Sequence, residues 1–318
     1  MTTLRLDHRA SWRDSLARVG DIKFDPKRVQ TDLISLGYLP AGAADGAWGP
    51  GSKRALTRFK RRARSLYRIS TGGQSADCTA ANAFQGIVDD SVTQPTLDEI
   101  AKWLRQSWKA PLGRFSTKGI GNGKLRQDVA DAWIALIASV AGHGGTVEGP
   151  YGDTMRPLGK AKKAGASSFS FHIVGRAVDL KQELSNRPNR RYYVAKDVTS
   201  GASYWRIYCS TQSQDGSQGS KFEKGKVDYW DFVDKKAINI PEGYYVDLTH
   251  EIDKGGLFER IPAQSGWEST YNRTEWWHFQ WKPDKQETFQ DECELVGISE
   301  TALRNAGYSE VDMDRKPG

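Results

Sequence analysis

The sequence predicts two globular units, a helical one followed by one that mixes helices with strands. Three observations carry this. A chain of 318 residues exceeds one typical domain and has enough apolar residues for a core in each of two. Up to about residue 109 the apolar repeats have helical spacing, whereas beyond residue 124 the short alternating stretches RAVDL, YWRIYC and HFQW join one long helical repeat. Between the two lies APLGRFSTKGIGNGK, residues 110–124, which is Gly-rich and polar, lacks hydrophobic periodicity, and so reads as a linker.

In chain order, residues 1–20 form a polar extension and the first unit spans 21–109. VQTDLISLGYL places Val29, Leu33, Leu36 and Leu39 at helical spacing, and Gly37 ends that helix. Asp45-Gly46 marks a turn and Gly49-Pro50 punctuates the loop before SKRALTRFKRRA, a helix expected to bury Ala55, Leu56 and Phe59. Residues 64–92 intervene before TLDEIAKWLRQSW, where Leu97, Ile100, Ala101 and Leu104 share a helical face.

The second unit, 125–290, opens with LRQDVADAWIALIASVAGHGG, a long amphipathic helix carrying Val129, Trp133, Leu136, Ile137 and Val140, closed at Gly142. His143 just beyond it is expected at the helix C-terminus. A turn-rich stretch, TVEGPYGDTMRPLGK, leads to Arg156. RAVDL reads as a strand with Ala177 and Asp179 on one face. Residues 181–236 read as inserted loops around YWRIYC, of the kind that rims a site and selects its ligand. PEGYYVDLTHEIDKGGLFERIP reads as a helix ending at Gly255-Gly256, with His250 solvated or packed on it, and then a short strand. The tail, 291–318, carries one helical stretch, ETALRNAGY, and an acidic end expected to be mobile.

The formal charge of +7 implies an anionic partner. Apart from KRRAR at Lys60 to Arg64 the basic residues are spread thinly and no nucleic-acid-binding motif accompanies them; a negatively charged cell envelope fits the charge equally well, and no nucleic-acid partner is expected. The Trp count of 11 suits a protein that grips saccharide or peptide on flat apolar surfaces, or a well-packed core. Cys78, Cys209 and Cys293 are odd in number and far apart, so they are read as buried or free thiols rather than a disulfide framework or metal cluster. MTTLRLDHRASWRDSL lacks the apolar core of a signal peptide, and no uncharged apolar run reaches membrane-spanning length. The expectation is a soluble monomer made in the cytoplasm, without membrane insertion, which something else must deliver if its substrate lies outside.

Chemistry concentrates in two places. SFHIVGRAVD sets His172 and Asp179 on either side of Gly175, which takes backbone angles other residues avoid, so imidazole and carboxylate can turn toward one point. That is half of a hydrolytic zinc site, and the other half needs a second His with a carboxylate beside it. Glu275-Trp276-Trp277-His278 supplies both. In a regular strand Glu275 and His278 would face opposite ways, so a bend must lie between them, held by packing of Trp276 and Trp277.

The pattern S-x-H-x-x-G-x-A-x-D followed by E-x-x-H inside EWWHF resembles the signature of the zinc D-Ala-D-Ala carboxypeptidase superfamily. That group includes the vancomycin-resistance dipeptidases and the L-alanyl-D-glutamate peptidases of phage endolysins. The resemblance implies a small α+β domain, a central antiparallel sheet with packed helices, holding one Zn2+ per chain through His172, Asp179 and His278. It implies Glu275 as general base and acid, Arg156 as the residue that grips a peptide carboxylate or stabilises the oxyanion, and Ser170 as an orienter of the ligand loop.

In the first unit, helix, Gly-Tyr-Leu, Asp-Gly-x-Trp-Gly-Pro, helix, over about Asp21 to Ala63, is similar to the small three-helix peptidoglycan-binding domain. That similarity implies Asp45 and Trp48 as wall contacts, against the alternative that Trp48 plugs the helix junction. The function expected is hydrolysis of peptidoglycan stem peptides in an endolysin, as an endopeptidase or a D,D-carboxypeptidase. The alternatives are the same chemistry in a secreted antibacterial toxin, or a non-catalytic wall-binding or virion structural protein.

Overall fold

The structure is a computed structural model that describes residues 22–65, 83–110, 112–147, 149–159, 168–186, 188, 190–199 and 202–317. The chain divides into two compact units between Pro111 and Leu112. The extension 1–20, Cys78 and most of the stretch 64–92 lie outside the described residues.

The first unit contains α1 (Pro26–Ser35), α2 (Pro50–Ser65) and α3 (Gln94–Arg105). Asp25 caps α1 by accepting from the Lys27 and Arg28 N–H groups, which satisfies donors that have no partner within the helix. Gly37, at φ 84°, closes it, with Tyr38 N–H returning to Leu33 O at 2.8 Å. Val29, Leu33, Leu36, Ala55, Leu56 and Phe59 meet in one core. Its centre is Trp103, whose ring stands edge-on to Phe59 at 5.2 Å and to Trp108 at 5.8 Å, arrangements worth ~0.5–1.5 kcal/mol each beyond burial. The α3 face is therefore turned from the expected one. Thr96, Ile100 and Trp103 are buried, while Leu97 and Leu104 sit at the margin, because the largest ring takes the interior.

The second unit mixes helices with antiparallel sheets. The stretch expected as a linker is instead a hairpin of this unit: β1 (Thr117–Ile120) pairs with β2 (Gly123–Arg126) around Gly121, whose φ is 55°. Its glycine is a turn residue, and a turn shares composition with a flexible tether. Phe115 N–H also donates to Leu295 O at 2.8 Å. Next comes α4 (Gln127–Gly142), whose Val129, Ala130, Trp133 and Val140 are buried.

The site rests on a three-stranded antiparallel sheet in the order β10 (Phe258–Arg260), β11 (His278–Trp281), β3 (Ala177–Asp179). The stretch 181–236, expected as loops, supplies most of a second, four-stranded sheet. β4 (Tyr192–Thr199) and β5 (Ala202–Ser210) pair continuously, followed by β9 (Gly243–Asp247) and β6 (Ser220–Phe222). YYVD is thus strand rather than helix, and α5 (Leu248–Gly255) begins only after Asp247 caps it. Trp205, Ile207 and Cys209 of β5 enter the main core beside Trp133, Val178, Phe258 and Phe279. On the opposite face Tyr208 meets Tyr229 and Ile240 of the hairpin formed by β7 (Asp228–Asp231) and β8 (Lys236–Asn239) and its surroundings. Alternating residues with both faces covered make the stretch sheet rather than the surface loops expected.

The tail's stretch ETALRNAGY forms the expected helix, and its acidic end, expected to be mobile, is docked. Three short helices, α6 (Phe289–Leu295), α7 (Glu300–Asn305) and α8 (Glu310–Met313), bury Phe289, Cys293, Leu303, Tyr308 and Met313 against Phe171, Ile173, Val174 and Ala177. Arg176, fully buried, pairs with buried Glu292 at 2.6 Å and donates to Trp281 O at 3.0 Å. Leu303→Ala should therefore lower the stability of the second unit by about 2–5 kcal/mol, as for other buried Leu truncations. Urea unfolding would measure it, and an unchanged midpoint would mean that the tail does not pack.

Candidate functional site

His278 and Asp179 face each other across β11 and β3, His278↔Asp179 in register. Directly opposed residues of an antiparallel pair project to the same side with Cβ atoms about 4.5–5.5 Å apart, so this register alone brings imidazole and carboxylate together. The other edge of β3 is occupied by residues 152–154, with Asp179 N–H donating to Asp153 O and Gly152 N–H donating to Asp179 O, both at 2.9 Å.

His172 comes from the turn that precedes β3. Ser170 Oγ accepts from His172 N–H at 3.2 Å, and Gly175 N–H donates back to His172 O at 3.2 Å. Gly175 has φ 65°, and a Cβ there would lie 2.5 Å from Arg126 N. That close approach carries the hydrogen bond from Arg126 N–H to Gly175 O at 3.0 Å. No other residue fits both the angle and the space. His172 Nδ1 lies 2.8 Å from Thr154 O; a carbonyl only accepts, so Nδ1 carries the proton and Nε2 presents its lone pair.

Three atoms then converge. His172 Nε2 lies 3.3 Å from Asp179 Oδ1 and 3.3 Å from His278 Nδ1, and His278 Nδ1 lies 2.9 Å from Asp179 Oδ1. An ion about 2.0–2.1 Å from three tetrahedrally disposed ligands sets their atoms about 3.3–3.4 Å apart, which two of these edges match while the third is shorter. Lone pairs at such distances repel unless a cation, proton or metal, sits among them. Burial would raise Asp179, but the two imidazoles beside it hold it far below the usual carboxylate range, and burial would lower His278, but Asp179 raises it. Among the described residues this is the only group of three or more His, Cys, Asp or Glu side chains spaced to hold a metal ion. His250 is exposed on α5, and His143, after α4, pairs with Glu251 at 3.3 Å.

Glu275 stands beside this triangle in the left-handed region at φ 53°, which costs a residue with a Cβ roughly 1–2 kcal/mol. That is the bend: His278 N–H closes a turn onto Glu275 O at 3.1 Å. Trp276 and Trp277 are both buried beneath it. Trp276 Nε1 donates to the Tyr271 hydroxyl at 3.1 Å, and the two indoles meet edge-on at 5.8 Å. The half-buried Glu275 carboxyl is raised by burial and then, against the opposing imidazoles, by the charge of Asp179. Its Oε1 accepts from Gln264 Nε2 at 2.8 Å.

Arg156 is tied to the same turn. Its N–H donates to His172 O at 3.0 Å, Nη2 donates to Ser170 Oγ at 3.1 Å, and Nε contacts Asp153 Oδ2 at 2.9 Å too obliquely for a hydrogen bond. Nη1 has no hydrogen-bond partner among the described residues. Asp153, Thr154 and Gln264 escaped the sequence reading because none lies in a motif; the only local signal was that Asp153 and Thr154 sit in the turn-rich stretch before Arg156.

In the first unit, Asp45 is exposed and its Oδ1 accepts from Gln30 Nε2 and from Ala47 N–H, both at 2.9 Å. The Gln30 bond first, then Ala47, lowers its carboxyl. Gln30 is itself buried and also accepts from Gly46 N–H at 2.8 Å, so it shapes the loop from beneath. Trp48 is half-buried, edge-on to Phe24 at 5.1 Å.

Compared with protein-family models, curated proteins and solved structures, the chain matches none. The resemblance to zinc peptidases therefore rests on the motif residues of the sequence alone.

Gly175→Ala should destabilise the second unit by more than about 2 kcal/mol, because a strained φ is added to a backbone collision. Guanidinium unfolding would read this out, and wild-type stability would mean that Arg126 does not approach as described.

Proposed function

We propose that this protein is a zinc-dependent peptidase that cleaves peptidoglycan stem peptides, an endolysin-like enzyme whose first unit binds the wall. The observation that carries the reading is the triangle of His172 Nε2, Asp179 Oδ1 and His278 Nδ1, with edges of 2.9–3.3 Å, beside a carboxyl that burial has made more basic.

These three residues would hold the ion, and the tautomer enforced by Thr154 O leaves the His172 nitrogen ready for it. When bound, zinc supplies Lewis acidity, polarising a carbonyl oxygen and acidifying water at neutral pH. Glu275 takes a proton from the attacking water and delivers it to the leaving amine, and a carboxyl raised by burial suits both halves of that task. Arg156, restrained through Ser170 and Asp153, directs its remaining N–H groups at a substrate carboxylate or at charge developing on the attacked carbonyl. The product is a hydrolysed peptide bond. A net charge of +7 favours residence on an anionic envelope.

His172→Ala should lose the metal, measured as zinc per chain by elemental analysis, whereas Glu275→Ala should keep it. On disaccharide-pentapeptide fragments Glu275→Ala should turn over ~10²- to 10⁴-fold more slowly. Full zinc in the histidine variant, or more than about a tenth of wild-type turnover in the glutamate variant, contradicts the assignment.

Separating the units at Pro111 and Leu112 tests their division of labour. The second unit alone should cleave soluble fragments at the rate of the full chain but act more slowly on intact sacculi, because tethering raises the local concentration of enzyme. The first unit should sediment with insoluble peptidoglycan; if it stays in the supernatant and the separated second unit is undiminished on sacculi, it is no wall anchor.

A further inference from the structure

The stretch between β3 and the base is where this chain departs from a compact peptidase, and its sheet reaches Glu275 through a closed loop. Ala263 N–H donates to Ser203 O of β5 at 2.8 Å, which roots the loop on the inserted sheet. Gln264 N–H donates to Arg273 O at 2.8 Å, and Arg273 Nη1 donates to Ser265 O at 2.8 Å, which closes its ends on each other. Trp205, also on β5, fills the loop: its ring stands edge-on to Trp267 at 4.9 Å, and its Nε1 donates to Thr274 O at 2.7 Å, the residue immediately before Glu275. From the mouth of this loop Gln264 Nε2 donates to Glu275 Oε1 at 2.8 Å.

We propose that Gln264 is a positioning residue for Glu275, held in place by the β4–β5 hairpin, so that the insertion buttresses the base rather than only rimming the site. The proposal rests on the peptidase reading above. A Glu side chain has several rotatable bonds, and one hydrogen bond to Oε1 selects a single orientation, leaving Oε2 as the atom that exchanges protons. The donor type matters as well. An Arg or Lys here would form an ion pair and make the carboxylate a weaker base, whereas a neutral amide orients it with little loss of basicity.

The test compares full-length wild type, Gln264→Leu, Glu275→Ala and the double variant, with kcat and KM on a disaccharide-pentapeptide fragment. Zinc content, unfolding midpoints and the 15N side-chain amide resonances of the two proteins that retain Gln264 are recorded alongside. Gln264→Leu keeps the volume and removes the donor. Its kcat should fall on the order of tenfold at unchanged KM, zinc content and midpoint. The double variant should be no slower than Glu275→Ala, and the Gln264 amide resonance should move in Glu275→Ala.

Wild-type kcat in Gln264→Leu together with a slow Glu275→Ala overturns the positioning role and leaves the peptidase reading standing. Losses that multiply in the double variant overturn it too, since Gln264 would then act other than through Glu275. A Glu275→Ala variant as fast as wild type, or a wild type that cleaves nothing, overturns the peptidase reading instead. An amide resonance indifferent to Glu275→Ala overturns the hydrogen bond without reference to turnover.

Discussion

The pairing of β3 with β11 in the register that opposes Asp179 and His278 is the constraint on which the rest of the site depends. Side chains alternate along a strand, so a slip of one residue would send His278 into the core and bring Phe279 to the surface. The slip is resisted from the apolar side. Val178 and Phe279, the adjacent cross-strand pair, are fully buried in the main core with Trp133, and exposing them would forfeit about 1.5–3 kcal/mol each. Hydrophobic packing on one face therefore fixes the polar geometry on the other, with no strength required of the polar contacts themselves.

Around that pair the turns are held by groups that have no chemistry of their own. The Gly175 turn lies against the backbone of Arg126, and the buried Arg176–Glu292 pair joins it to the helices of the tail. A buried ion pair is weak as a source of stability but costly to break from one side, about 3–5 kcal/mol. Three sources thus restrain the His172 turn: the backbone of β2, the segment at 152–154 and the tail.

What could be read beforehand follows a physical division. His172, Gly175 and Asp179 lie within one short turn and strand, and Glu275 with His278 within another, so spacing alone carried their juxtaposition; the bend before His278 followed from strand parity. The helices α1, α2 and α4 were legible because one apolar face repeats every three to four residues. Gln264, Asp153 and Thr154 were not, since they reach the site from polar, aperiodic segments whose approach is decided by the tertiary fold. The hairpin at 117–126 was misread because a tight turn and a flexible tether use the same glycines. ETALRNAGY was legible as a helix, but the docking of the tail's end was not, because three short capped helices bury their residues only in concert with Phe171 and Val174, which no local window contains.

Glu275 shows a conflict between what the backbone prefers and what the side chain supplies. At φ 53° a Gly would sit without the roughly 1–2 kcal/mol that a Cβ adds, and Asn would be tolerated better than Glu. Thermodynamic drift at this position therefore runs against the carboxylate. A lineage that ceased to use the group would be expected to replace it here early, gaining stability as it did so, whereas the buried Trp276 and Trp277 would persist for their packing alone. The residue at this one backbone position is thus a sensitive record, among related chains, of whether the proposed site is still in use.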